Sequence, residues 1–364
     1  MTTAAPIPSP QERALLDAAR AGDERAYRSV VEPHRVELHA HCYRMLGSVH
    51  DAEDALQDAL VRAWRGLARF EGRSSVRTWL YRIATNACLD VAARRPKRVL
   101  TLDHVPPAVC GDPPGEPLVE AVWLEPYPDE QLGVEDGREA PEARYERRES
   151  LELAFVAALQ HLPARQRAVL LLREVLGYSA QEIAELLEAT VASVNSALQR
   201  ARRTLDERLP EQSQQATLRS LGDARARELV QAYMDAMERA DLDAVLALLT
   251  EDATWSMPPL PAWYRGPDVI RAFLVEYPFS ERWRHVPVRV NGQLAVGCYT
   301  WQPARGCYVG EVLDVLTLRG DRIAEITAFL TSELHRRFGH EGTPYVTAEI
   351  FAAFGLPETL PARR

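Results

Sequence analysis

The stretch YSAQEIAELLEATVASVNSALQRARR, from Tyr178 to Arg203, constrains the chain more than any other. Its apolar residues recur at helical spacing and break at Ala189-Thr190, which predicts two short helices packed through a tight turn. Ser179 and Glu182 stand three apart, as a serine and glutamate must to cap a helix start reciprocally. Thr190 is placed to cap the second helix. Ile183, Ala184 and Leu187 form the inward face of the first helix. Val194, Leu198, Ala201 and Leu205 form that of the second, leaving Asn195, Ser196, Gln199, Arg200 and Arg203 outward. Asn and Gln pair with adenine edges and Arg bidentately with guanine, so the second helix predicts a major-groove reader.

A duplex reader should be basic, yet the formal net charge is -9. Local charge resolves the conflict. Between Arg62 and Arg98 ten basic residues face two acids, whereas between Asp103 and Glu149 thirteen acids face four arginines. The first block has the charge that displaces counterions from phosphates. The second contains PPAVCGDPPGEP and EPYPDE and predicts a proline-rich acidic linker over 99–148. Within it, Trp123 and Tyr127 are flanked by prolines and predict a docking segment that packs against the C-terminal part of the chain.

Residues 12–98 read as helical throughout. In DAEDALQDALVRAW, alanines and leucines from Ala52 to Trp64 make one stripe, with Asp51, Asp54 and Asp58 opposite and Gln57 beside them. In SSVRTWLYRIATNACLDVAARR, Trp79, Leu80, Ile83, Ala84 and Ala87 make the core stripe, leaving Arg77, Arg82, Asn86, Arg94 and Arg95 for solvent or nucleic acid. The preceding RFEGRSS loop joins an aromatic ring to arginines and hydroxyls, a composition suited to an unstacked base.

Residues 223–340 change character: two amphipathic helices enter a strand, a short helix follows, and four alternating or apolar runs predict a curved sheet. Trp255, Met257, Trp263, Tyr264, Trp283 and Trp301 are candidate lining for a pocket that takes a small apolar ligand. Asp314 sits among apolar strand residues, where a carboxylate acts as a general base or pairs with Arg284 or His285.

Other classes are disfavoured. No apolar run reaches the roughly 18 residues of a membrane span, and the N-terminus lacks a secretion signal, so a cytoplasmic protein with no membrane partner is expected. The five cysteines form no CxxC pair, and His39 and His41, two apart on a helix, do not share a face. No metal, cofactor or catalytic residue is expected.

The order of a basic helical module, an acidic linker and a helix-turn-helix resembles the extracytoplasmic-function group of sigma-70 RNA polymerase sigma factors. DAEDALQDALVRAW resembles region 2.2, FEGRSSVRTWLYRIATNACLD regions 2.3 and 2.4, and LPARQRAVLLLREVLGYSAQEIAELLEATVASVNSALQRARRTL region 4. The resemblance implies that Asp54, Gln57 and Asp58 dock on core polymerase. It implies that Phe70, Arg73, Ser74, Arg77, Trp79 and Asn86 engage the single-stranded -10 element. It places Asn195, Ser196, Gln199, Arg200 and Arg203 on the double-stranded -35 element. ALLTEDATWSMPPLPAWYRGPDVIRAFL resembles the SnoaL-like branch of the nuclear-transport-factor-2 superfamily, a fold that hosts enzymes and non-enzymes.

The expected architecture is therefore multi-domain: two all-α modules followed by an α+β SnoaL-like cone. Its parts are a flexible 1–11, region 2 over 12–98, the linker over 99–148 and region 4 over 149–210. A short linker over 211–222, the SnoaL-like domain over 223–340 and a tail over 341–364 complete it. The expected function is a sigma factor regulated by its own C-terminal domain. A SnoaL-like enzyme or a ligand-binding one-component regulator with an attached DNA-binding part is the alternative, and either leaves residues 51–90 without a role.

Overall fold

The computed structural model describes residues 9–362 apart from 73, 104, 110, 113, 116–121, 130–147 and 332–348. The chain forms two compact units. One comprises 1–97, 131–133 and 154–209, and the other 98–130, 134–153 and 210–364.

The first unit is helical. A helix begins at Pro10, inside the stretch expected to be flexible, because Ser9 caps it by accepting from the Glu12 amide. The Arg35–Leu46, Val49–Gly66 and Val76–Ala92 helices pack together, with Leu38, Tyr43, Met45, Leu56, Leu80 and Tyr81 buried between them. Ser48 and Ser75 cap the last two helices, each a contribution of about 1 kcal/mol. His39 and His41 are both buried, and the His41 ring is 2.9 Å from Thr85 Oγ1.

The second half of this unit carries the helix-turn-helix. The Ala180–Leu186 helix has the reciprocal Ser179–Glu182 cap, and Thr190 caps the Val191–Asp206 helix. Val194, Leu198, Ala201 and Leu205 are buried as their spacing demands. Arg167, on the Ala164–Leu170 helix, ties the two halves together. Its buried guanidinium donates to Gln160 Oε1 at 2.6 Å, to Leu162 O at 3.1 Å and to Met45 O. Burial lowers its pKa to about 10, a cost these acceptors offset.

The second unit is built on a mixed sheet. Strands β1 (Arg98–Val99) and β2 (Val122–Trp123) pair in parallel by themselves. The large sheet contains β3 (Leu249–Ser256), β4 (Trp263–Arg265), β5 (Trp283–Val290), β6 (Gln293–Gln302), β7 (Cys307–Arg319), β8 (Arg322–Leu330) and β9 (Thr359–Pro361). Its order is β4-β3-β8-β7-β6-β5, with β9 added against β7; β3 and β8 run parallel and the other pairs antiparallel.

Alternation sorts the two faces. Val296, Cys298, Val312, Leu316, Ile326 and Ala328 join Tyr233, Met234 and Met237 of the Asp223–Glu238 helix in one core. The opposite face carries Gly297 and Gly310. A Cβ at Gly310 would lie 2.7 Å from the Phe351 ring, so the missing side chain is what lets the tail lie against the sheet. The tail, whose sequence points to no role, thus contributes both a strand and a cover.

Two stretches read as linkers carry structure. Residues 214–221 form a helix whose first amides, Gln214 and Gln215, donate to the Glu152 carboxylate at 2.9 and 2.7 Å. Within 98–130, Tyr127 exchanges backbone and side-chain hydrogen bonds with Asn291: its amide donates to Asn291 Oδ1 at 2.8 Å and its carbonyl accepts from Asn291 N at 2.9 Å. Tyr127 and Trp123 are both buried.

Candidate nucleic-acid interface and C-terminal cavity

On the Val191–Asp206 helix, Asn195, Ser196, Gln199, Arg200 and Arg203 are exposed in one row. The helix can present them because its apolar stripe is fully spent on the helix-turn-helix core. Arg203 lies 3.3 Å from Glu207, an exposed i,i+4 pair that a phosphate can replace at little cost.

On the Val49–Gly66 helix, Asp54, Gln57 and Asp58 are also exposed together. Asp58 pairs with Arg62 at 2.6 Å, and Arg62 reaches Asp90 at 2.7 Å. Asp51 departs from the solvated face expected of it. It is buried in the first turn and ion-paired with Arg95, because Ser48 caps that turn and the end of the Val76–Ala92 helix lies alongside.

The -10 candidates are differently placed, and Arg73 lies outside the described residues. Phe70 is buried, its ring 4.8 Å from that of Trp79, and its carbonyl accepts from Arg20. Arg77 is committed to Glu37 through Nε at 2.9 Å and a second nitrogen at 2.8 Å, and its guanidinium lies 4.9 Å from the Tyr81 ring centre. Burial pushes the Glu37 carboxyl up, but hydrogen bonds from His34 and Arg77 outweigh it and hold the pKa at about 2. Ser74 and Asn86 are half-buried.

The second unit holds a partly open cavity of about 170 Å³ between the inner sheet face and the helices. Trp255 and Asp314 line it, as do Met257 and Trp283. Trp263, Tyr264 and Trp301, expected there, lie elsewhere. Trp263 sends its indole N–H to Val105 O at 2.7 Å, Tyr264 stacks on Phe273 at 4.4 Å, and Trp301 packs edge-on to Tyr308 at 5.1 Å. Alternation decides this for Trp301: Cys298 faces inward, and a register shift follows it before Tyr299. Among the described residues no hydrogen bond joins Asp314 to Arg284 or His285, although the charge of His285 acts on it. Its Oδ2 accepts from the Tyr233 hydroxyl at 2.8 Å and from the Cys298 thiol at 3.3 Å, and burial raises its pKa. His285, which sequence reasoning treated only as a partner for Asp314, lines the cavity itself. Its place on β5 in register with Cys298 is the signal that would have found it.

Among the described residues no group of three or more His, Cys, Asp or Glu is placed to hold a metal, and no helix is long and apolar enough to cross a membrane.

These features define a capped helix pair with an exposed polar row in one unit, and a mixed-sheet domain with an inner cavity in the other. Comparison with known proteins agrees: the chain matches sigma-70 region 2 over 30–98, sigma-70 region 4 over 152–205 and a SnoaL-like domain over 230–326. The ECF RNA polymerase sigma factor SigG of Mycobacterium tuberculosis is 42% identical over 327 residues, spanning 88% of this chain and 84% of its own. ECF sigma factor SigW of Bacillus subtilis is 30% identical over 193 residues, 52% of this chain and 92% of its own. The crystal structure of Mycobacterium tuberculosis SigJ has the same fold, with a TM-score of 0.52 at 21% identity over 85% of this chain and 98% of that one. The chain belongs to the extracytoplasmic-function sigma factors, and is an alternative RNA polymerase sigma factor with a fused SnoaL-like domain.

Proposed function

We propose that this sigma factor docks on core polymerase through Asp54, Gln57 and Asp58, and reads the -35 duplex through Asn195, Ser196, Gln199, Arg200 and Arg203. Phe70, Ser74, Arg77, Trp79 and Asn86, with Arg73, serve the -10 element, and the work is done in the cytoplasm. The observation that carries the reading is the exposed polar row on the Thr190-capped helix, backed by a complete core. Two short contacts, each weak, become selective when one chain holds both.

The SnoaL-like domain acts in this reading as a regulator without chemistry of its own. The segment 98–130, which runs between the two sigma regions, is held on that domain by Tyr127–Asn291 and by Asp129, whose Oδ1 accepts from the Gly292 amide at 2.7 Å. Docking of Trp123 and Tyr127 is thereby the route of control.

Promoter-dependent run-off transcription with purified core polymerase tests this. The full chain should initiate, and Asp54→Lys with Asp58→Lys should abolish initiation while leaving duplex binding through region 4 intact. Initiation unaffected by the double reversal would overturn the docking assignment. Turnover of a small molecule by a chain that never initiates would favour the enzyme alternative, with Asp314 as its base.

A further inference from the structure

The C-terminal cavity holds more polar chemistry than core packing needs. Its walls are aromatic and thioether: Trp255, Phe273, Tyr277, Trp283, Met237 and Met257. Such surfaces favour a flat ring, which gains edge, face and sulfur contacts at once. A volume of about 170 Å³ sets the size. A cavity of ~150 Å³ takes benzene, so one ring with a small substituent is what fits.

The polar end is His285. Its side chain is fully buried, yet among the described residues neither ring nitrogen has a hydrogen-bond partner. Nδ1 is 3.7 Å from Glu238 Oε1, beyond hydrogen-bond reach. A neutral imidazole offers one donor and one acceptor, and a hydroxyl group can meet either. Close by, Asp314 takes both its bonds, from Tyr233 and Cys298, on Oδ2. Acids line the cavity at Glu281 and Asp314, and among the described residues no arginine or lysine does, so an anionic ligand would be repelled. A quaternary ammonium would suit the rings but has neither donor nor acceptor for His285.

We infer that this cavity binds a small neutral phenol, its ring between Trp255, Phe273 and Trp283 and its hydroxyl on His285. The inference rests on the reading of the SnoaL-like domain as the regulatory part, and it supplies the effector for that domain. Pro114, from the segment between the two sigma regions, forms part of the cavity wall, and its carbonyl accepts from the Ala262 amide at 3.3 Å. An occupant therefore touches the same segment that Tyr127 and Asn291 anchor.

The test titrates the full-length chain with phenol, toluene and tetramethylammonium, following tryptophan fluorescence and heat. Phenol should bind about tenfold or more tighter than toluene, because toluene would leave the imidazole unpartnered. His285→Phe should bring the two affinities together, and His285→Gln, which keeps a donor and an acceptor, should restore part of the gap. Equal affinities in the unaltered chain, binding of none of the three, or preference for tetramethylammonium would overturn the ligand class whatever the variants do. The unaltered protein is assayed for run-off transcription in parallel. A failure there would strike the sigma-factor reading, and a failure in the titration would strike only the ligand.

Discussion

The recognition helix and the -10 loop both face nucleic acid in the proposed role, but only one of them is ready for it. Asn195, Ser196, Gln199 and Arg200 stand exposed on a capped helix, and among the described residues no hydrogen bond or ion pair engages the Arg200 guanidinium, whose residue accepts only at its carbonyl, from Thr204. Phe70 and Arg77 are closed on Trp79 and Glu37. The difference follows from what each must recognise. A duplex groove has a fixed shape, so its reader can be built in advance on one rigid helix. An extruded base arrives only after unstacking, and a pocket held open for it would expose apolar surface and unpaired charge in the free protein. Closure on Trp79 and Glu37 avoids that cost.

Charge tells the same story. Six of the ten basic residues between Arg62 and Arg98 already have acceptors: Arg62, Arg77, Arg82, Arg95, Lys97 and Arg98. The exposed pairs among them contribute at most about 1 kcal/mol each and are screened by salt, so phosphates can displace the carboxylates. The basic block is a reserve of positive charge rather than a bare patch.

The largest effect should come from breaking the preformed side. Asn195→Ala with Arg200→Ala removes two groups that, in the proposed role, read bases and contribute about 1–3 kcal/mol each. Holoenzyme should lose roughly a hundredfold or more in affinity for its promoter duplex, at one fixed salt concentration, with little change on unrelated DNA. An equal loss on all sequences would mean that the helix holds phosphates and does not read bases.

The closed side should respond to acid. Glu37 titrates lower in the folded chain, at about 2, than its ordinary 4.5, so its contribution is complete above that ordinary value and is lost as pH falls towards about 2. With the carboxylate 26% exposed, that contribution is on the order of 2 kcal/mol after allowance for solvent. Glu37→Gln should lower the melting temperature at pH 7, flatten the acid limb below pH ~4.5, and free Arg77 for single-stranded DNA. A variant that melts like the unaltered chain at pH 7 would show that the Glu37–Arg77 pair closes nothing.

What could be read from the sequence divides along the same line. The helix-turn-helix was legible to the residue, since Ser179, Glu182, Thr190 and the Val194–Leu205 stripe act locally and periodicity reports them. The cone's strands were legible by alternation. The burial of Asp51, the Glu37–Arg77 pair and the Tyr127–Asn291 exchange were not, because each joins residues 40 or more apart in sequence. The cavity is half-legible: Trp255 and Asp314 follow from inward alternation, while Trp263, Tyr264 and Trp301 have only ring type to suggest them. Aromatic composition marks a core, and only register says which rings face the space inside it.

The smallest effect sharpens how the two sigma regions are held together in the free chain. Arg82, on the region 2 helix, pairs at 2.9 Å with Glu188 in the turn of the helix-turn-helix, but the two side chains are 48% and 76% exposed. Such a pair contributes about 0.5 kcal/mol or less. Arg167 makes the opposite kind of link, buried and bonded to carbonyls on both sides. Arg82→Ala should therefore leave the melting temperature within about a degree, since a change of 1 kcal/mol moves a domain of this size by only a few degrees. Its effect should appear instead as a shallower salt dependence of promoter binding, because Arg82 is then one phosphate contact fewer. A large drop in melting temperature with an unchanged salt slope would reverse the assignment, making Arg82 a clasp between the regions and not a reserve for DNA.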